Sequence, residues 1–177
     1  MIGSSTGNLG ISMRNNLKTA DCCVSTGNFI FKAHSVILQT ASPIFECFLE
    51  DSVENPPEIV IDDNFDEIIV DLGLSLCYEI DIFDQLDVLT ALKLLQFAKT
   101  YNLKQFNRVE KFLVENLTPN NVCQVANAAL EMNAEFLLEK CVDFLIPHYR
   151  HLGALNDFVN LDSEIVKKIV QLCVFKV

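Results

Sequence analysis

Two short apolar runs, residues 20–24 and 29–33, bracket the turn-forming quartet Ser25-Thr26-Gly27-Asn28, and almost everything beyond His34 repeats its apolar residues at helical spacing. In the second run Phe29, Phe31 and Ala33 share one face by the period-2 rule. A third strand-like stretch, residues 58–61, follows the paired prolines Pro56-Pro57, which stop the preceding helix. The pattern predicts an α+β chain: a small three-stranded sheet, then helices nearly to the end.

The helix boundaries are marked locally. Val36-Ile37-Leu38 opens a helical turn that ends near Ala41. Ser42-Pro43 is a start signal, because serine caps free backbone N–H groups and proline fits the first helical position. The helix it opens carries Ile44, Phe45, Phe48 and Leu49 on its apolar stripe. Asn64 is the expected cap of the next helix, with Asp66 and Glu67 in its first turn and Gly73 as a weak point in its middle. Amphipathic helices are expected over 87–101 and 104–117, with Asn102 at the reversal between them. Thr118-Pro119 repeats the capped-proline start. A helical pair over 120–131 and 134–149 follows, broken at Asn133, with Pro147 near its end. Gly153 marks a stop, and Asp162-Ser163-Glu164 opens a last helix through Cys173.

Composition narrows the function. Half of the 177 residues are hydrophobic, enough apolar material to offset the entropy of folding. The thirteen phenylalanines supply core bulk in a chain without tryptophan. A net charge of −11 disfavours nucleic acid and anionic membranes, both of which are bound through lysine and arginine. The seven cysteines are odd in number, scattered and mostly within apolar runs, where free thiols behave as small hydrophobes. They imply a reducing compartment, and with no secretory signal after Met1 and no membrane-length apolar run the chain is expected inside the cell, in cytoplasm or nucleus.

Catalytic constellations are thin. There is no Gly-rich phosphate loop and no nucleophile elbow around any serine. A Cys–His pair drawing on His34, His148 or His151 is the best enzymatic reading, but thiols on apolar faces are inert. His148 and His151 stand three residues apart without a Cys-x-x-Cys, and are expected to satisfy carbonyls at a helix end. His34 is expected to satisfy backbone groups between strand and helix. Asp62, Asp63 and Asp66 read as a solvated helix start in preference to a metal site. No enzyme activity, cofactor or metal is expected.

One stretch carries a positive signal. Asp21-Cys22-Cys23-Val24, then Phe31-Lys32-Ala33-His34-Ser35-Val36-Ile37-Leu38, then Ala41-Ser42-Pro43-Ile44-Phe45 resembles the core signature of BTB (POZ) domains. Ala33, His34, Leu38, Ser42 and Phe45 match the family's A-H-K-x-x-L-x-x-x-S-x-x-F spacing, with Ser35 in place of the usual lysine. Tyr78 stands where a Y-T-G tripeptide ends the next helix, although Glu79-Ile80 replace its last two members. Residues 91–99, ahead of Tyr101, look like the family's L-L-x-A-A-x-x-Y helix, and residues 118–146 are similar to the three-box that follows BTB domains in cullin-3 adaptors. The likeness covers roughly residues 19–148 and is nearest the speckle-type adaptors, without a MATH or Kelch module in the sequence.

The resemblance implies a BTB/POZ domain over 19–117, a lead over 1–18 that is partly disordered with room for a short dimerisation helix, and three-box and partial BACK-like helices over 118–177. It implies a non-enzymatic protein-interaction domain, pairing with itself or another BTB protein through Leu9, Ile11, Met13, Leu17 and Ile37. It further implies an adaptor or regulator of a cullin-3 ubiquitin ligase, contacting the cullin through Phe48, Leu49, Val53, Glu54, Asn55 and Tyr78. In the family's hydrophobic-x-Glu motif Val53 holds the hydrophobic place, while Asn55 occupies the acidic one. The alternative is a purely architectural BTB oligomerisation module with no ligase role.

Overall fold

The computed structural model describes residues 6–147 and 157–175. The chain forms two compact units, Met1–Asn107 and Arg108–Val177. The expectations at His148, His151 and Gly153 lie outside the described residues.

In the first unit, helix α1 (Thr6–Asn15) precedes a hairpin of β1 (Cys22–Thr26) and β2 (Phe29–Ala33). The register pairs Thr26 with Phe29, so Ser25 and Thr26 belong to the strand and the turn is Gly27-Asn28 alone. Helices α2 (Ser35–Ala41) and α3 (Pro43–Asp51) lead to β3 (Glu58–Val60). This strand lies parallel to β1, giving a sheet in the order β2-β1-β3 with Val24 opposite Ile59. Ile61 lies past the end of β3, yet its N–H still donates to the Ser25 carbonyl at 2.8 Å. The sheet's inner face is buried at Cys22, Val24, Ala33 and Ile59. Along β2 burial falls off toward the turn, from fully buried Ala33 through half-buried Phe31 to exposed Phe29.

Helices α4 (Glu67–Cys77) and α5 (Val88–Thr100) complete this unit, with a short 3-10 turn at Phe83–Gln85 between them. The cap of α4 is Asp66, whose carboxylate accepts from the Ile69 N–H at 3.0 Å, in place of the expected Asn64. Asn64 belongs instead to a tight turn: its N–H donates to the Asp62 carboxylate, and the Phe65 N–H donates to the Asp62 carbonyl. That turn drives Phe65 into the core. Gly73 is where α4 and α5 meet. A Cβ there would lie 2.2 Å from the Phe97 ring, so close approach requires the residue that otherwise weakens the helix.

The core beneath α3 is aromatic. Phe45 and Phe97 are fully buried, and Phe45, Phe65, Phe97 and Tyr101 stack with centroid separations of 4.7 to 5.9 Å. Ser42, the cap of α3, accepts from the N–H groups of Ile44 and Phe45 and donates its own hydroxyl to the Tyr101 carbonyl. The Tyr101 hydroxyl in turn accepts from the Asp62 N–H at 3.0 Å. The start signal read at Ser42-Pro43 thus also ties the end of α5 into the core.

Helix α6 (Phe106–Glu115) spans the division between the units. In the second unit α7 (Val122–Glu131) and α8 (Glu135–Leu145) pack through Val125, Ala126, Ala129, Leu137 and Cys141. Asn133, at φ 50°, makes the reversal between them. The second capped-proline start is not used. Helix α7 begins after Asn121, whose side-chain oxygen accepts from the Thr118 N–H, so Thr118 and Pro119 lie in a turn ahead of the helix. Helix α9 (Ser163–Phe175) packs on α8 through buried Ile165 and Ile169. The Asn127 amide bridges the Asn160 carbonyl and the Asp162 N–H, pinning the lead into α9 onto α7.

Candidate functional site

At the junction of hairpin and helices sits a closed polar chain. His34 is 4% exposed and stands between the end of β2 and the start of α2. Its N–H donates to the Tyr78 hydroxyl at 3.0 Å, and its Nδ1 lies 2.7 Å from the same oxygen. Its Nε2 lies 2.9 Å from Thr19 Oγ1, and the Thr19 hydroxyl donates to the Asn16 carbonyl. The Thr19 hydrogen being placed there, Oγ1 accepts from Nε2–H, and Nδ1 is the acceptor for the Tyr78 O–H; the tautomer is assigned by this network. Burial raises the Tyr78 hydroxyl above its ordinary value, against the lowering effect of the His34 N–H. Every donor is matched, and the imidazole has no lone pair left for a substrate or metal.

Four of the seven thiols, Cys22, Cys77, Cys123 and Cys141, are buried, while Cys47 is exposed. Burial pushes Cys22, Cys77 and Cys141 up to about 12, so each is a protonated thiol at neutral pH. Among the described residues no cluster of three His, Cys, Asp or Glu side chains could hold a metal ion, and no helix is long and apolar enough to cross a membrane.

One surface lies along α1. Leu9, Met13 and Ile37 line a single groove of about 320 Å³ together with Val36 and Tyr78. Leu9 is 68% exposed, while Met13 and Ile37 are half-buried against the core. Ile11 is exposed outside this groove, and Leu17 lines a different hollow beside Ile30 and Phe31 on β2. Three of the five residues expected at a dimer seam are therefore brought together. The sequence reading missed what docks α1. Arg14 pairs with the Asp71 carboxylate, donates to Ser75 Oγ at 2.7 Å and stands 5.8 Å from the Tyr78 ring centre. Gly10 lies so near the Tyr78 carbonyl that a Cβ would fall 2.0 Å from its oxygen. Arg14 and Asp71 are 57 residues apart, beyond any local signal.

Close beside β1 and α2, the Asp21 carboxylate accepts from the backbone N–H and the hydroxyl of Ser35, each at 2.7 Å. Burial acts to raise its pKa, but these hydrogen bonds prevail and hold it below the usual value.

The other surface lies along α3 and β3. Of the six residues expected to contact a cullin, Phe48, Val53, Glu54 and Asn55 are exposed, Val53 almost completely. Leu49 and Tyr78 are buried, so their side chains pack this unit from inside and are not part of the exposed set along α3 and its loop. The periodicity of α3 could not separate Phe48 from Leu49, since neighbours on one stripe divide between core and solvent only once the partner elements are known. Two residues outside the expected set join Phe48: Val60, 71% exposed, and half-buried Ile44. All three line a groove of about 690 Å³ with Asp62 and Asp63, and Phe48 and Val60 line a second of about 260 Å³ with Asp51 and Glu58.

Comparison with known proteins adds lineage to this geometry. The family model for the BTB/POZ domain matches residues 11–117. Among curated relatives, a BTB and MATH domain-containing protein 40 of Caenorhabditis elegans is 27% identical over 137 residues, which is 76% of this chain and 34% of that protein. The chain thus spans about a third of that relative's length.

Proposed function

Because this chain belongs to the BTB/POZ domain family, whose members are protein-interaction domains and not catalysts, we propose that it is an adaptor that pairs with another BTB chain and engages cullin-3. The observation that carries this reading is the exposed set Phe48, Val53, Glu54 and Asn55 at the end of α3 and in the loop after it. The groove that gathers Leu9, Met13 and Ile37 supports pairing through α1 and α2. We read the helices beyond residue 117 as a three-box with a partial BACK-like extension, as in speckle-type adaptors.

Asparagine at position 55 keeps an acceptor oxygen but lacks the charge that makes such bonds roughly twice as strong. A deficit of about 1–2 kcal/mol weakens binding roughly five- to thirty-fold. Calorimetry with a cullin-3 amino-terminal domain should therefore show weak binding, tightened by Asn55→Glu and abolished by Val53→Asp. Absence of heat even for Asn55→Glu would remove the adaptor role. A dimer by light scattering that Met13→Asp with Ile37→Asp converts to monomers would then leave the architectural oligomerisation module.

A further inference from the structure

We propose that the α3–β3 surface receives an amphipathic helix of a partner protein whose apolar stripe is bordered by lysine or arginine, a reading that deepens the adaptor role and uses the same surface. Ile44 and Phe48 stand one helical turn apart on α3 and form a ridge beside Val60, with a groove on either side of the Phe48–Val60 pair. A ridge between grooves is the shape into which another helix packs.

The charge around it is of one sign. Asp51, Glu58, Asp62 and Asp63 rim the two grooves, and no lysine or arginine lines either. The sequence is as one-sided: between Lys32 and Lys93 it has fourteen acidic residues and no lysine or arginine. An apolar floor inside an acidic rim favours a partner helix with basic flanks and repels one with acidic flanks. It also disfavours a second copy of this chain, because isologous pairing would set these carboxylates against themselves.

The test uses the full chain and two designed helical peptides of about 18 residues that share a Leu/Phe stripe and differ only in lysine or glutamate flanks. Backbone-amide NMR titration should show the lysine peptide binding at least about tenfold tighter than its twin, with shifts centred on Phe48 and Val60, and weakening about tenfold from about 50 to about 300 mM salt. General attraction to an acidic protein is separated by two charge-matched triples. Asp51→Asn with Glu58→Gln and Asp63→Asn should weaken binding several-fold more than Glu79→Gln with Asp81→Asn and Asp84→Asn. Phe48→Ala with Val60→Ser should abolish the localised shifts. Equal loss in both triples, equal binding of both peptides, or no binding of the lysine peptide would overturn the proposal. If the lysine peptide binds here but the cullin domain does not, the surface chemistry stands and the cullin assignment falls; cullin binding that is indifferent to salt and to the first triple leaves the assignment and removes the basic-helix requirement.

Discussion

The two interaction surfaces of the first unit rest on different foundations. Around α1 one apolar side chain, Met13, packs on the core, and the rest of the support is a few single contacts: Arg14 to Asp71 and Ser75, Gly10 against the Tyr78 carbonyl, Thr19 to His34, and Asp21 to Ser35. Beneath α3 the support is an aromatic cluster with Phe45 at 0% exposure and a serine cap bonded into it. A polar contact depends on the position of one atom and can fail alone, whereas a packed core fails together. The seat of the first surface is therefore adjustable by single substitutions, whereas the scaffold beneath the second gives way only when the unit that carries it unfolds.

The sharpest way to break this contrast is Phe45→Ala, which should cost about 3–5 kcal/mol. For a chain of this size that is a fall in Tm of more than about 6 °C, with the probes on α3, β1 and α5 melting together. A variant within about 2 °C of wild type would show that the α3 side is no more cooperative than the α1 side.

Gly10→Ala should act locally and more gently. Its Cβ meets backbone, which cannot swing aside, so the strain of about 1–3 kcal/mol outweighs the gain of about 1 kcal/mol in helix propensity. Hydrogen exchange should quicken in α1 while the amides of α5 keep their protection. Equal quickening in both helices would mean that α1 is part of the core unit after all.

The smallest effect belongs to Asp21→Asn. The carboxyl is held below its ordinary value, so its contribution is fully present above about pH 4 and is lost as pH falls through the lowered folded value. Since the residue is exposed, the loss at pH 7 should stay under about 1 kcal/mol. Thermal melts across pH should show wild type and variant converging in acid; a constant gap down to about pH 2 would assign the effect to packing.

Much of this was legible because it is local. Ser42-Pro43 and Phe45 could be placed from a cap, a proline and one helical turn, and the hairpin from two apolar runs around a glycine. Where two local signals competed, tertiary burial decided: Phe65 had to enter the core, which moved the α4 cap from Asn64 to Asp66. At Thr118-Pro119 the Asn121 side chain closed a turn that the proline rule alone does not foresee. What the sequence hid joins distant residues. Arg14 carries no local signal until Asp71 is beside it, and Gly73 reads as a flaw until Phe97 is. The burial of Leu49 and Tyr78 was hidden for the same reason.

The middle strand also meets its two neighbours at different times in the life of the chain. Strand β2 returns through a two-residue turn, while β3 arrives in parallel only after α2, α3 and the loop beyond them have been laid down. Closing the longer loop costs more entropy, and parallel pairing has no local turn to nucleate it. The hairpin is thus the template and β3 the last to join. Val60 comes to lie beside Phe48 only when β3 is paired, so a chain that lacks this pairing does not display the two together. A partner that reads this surface is also inspecting whether β3 has joined its sheet.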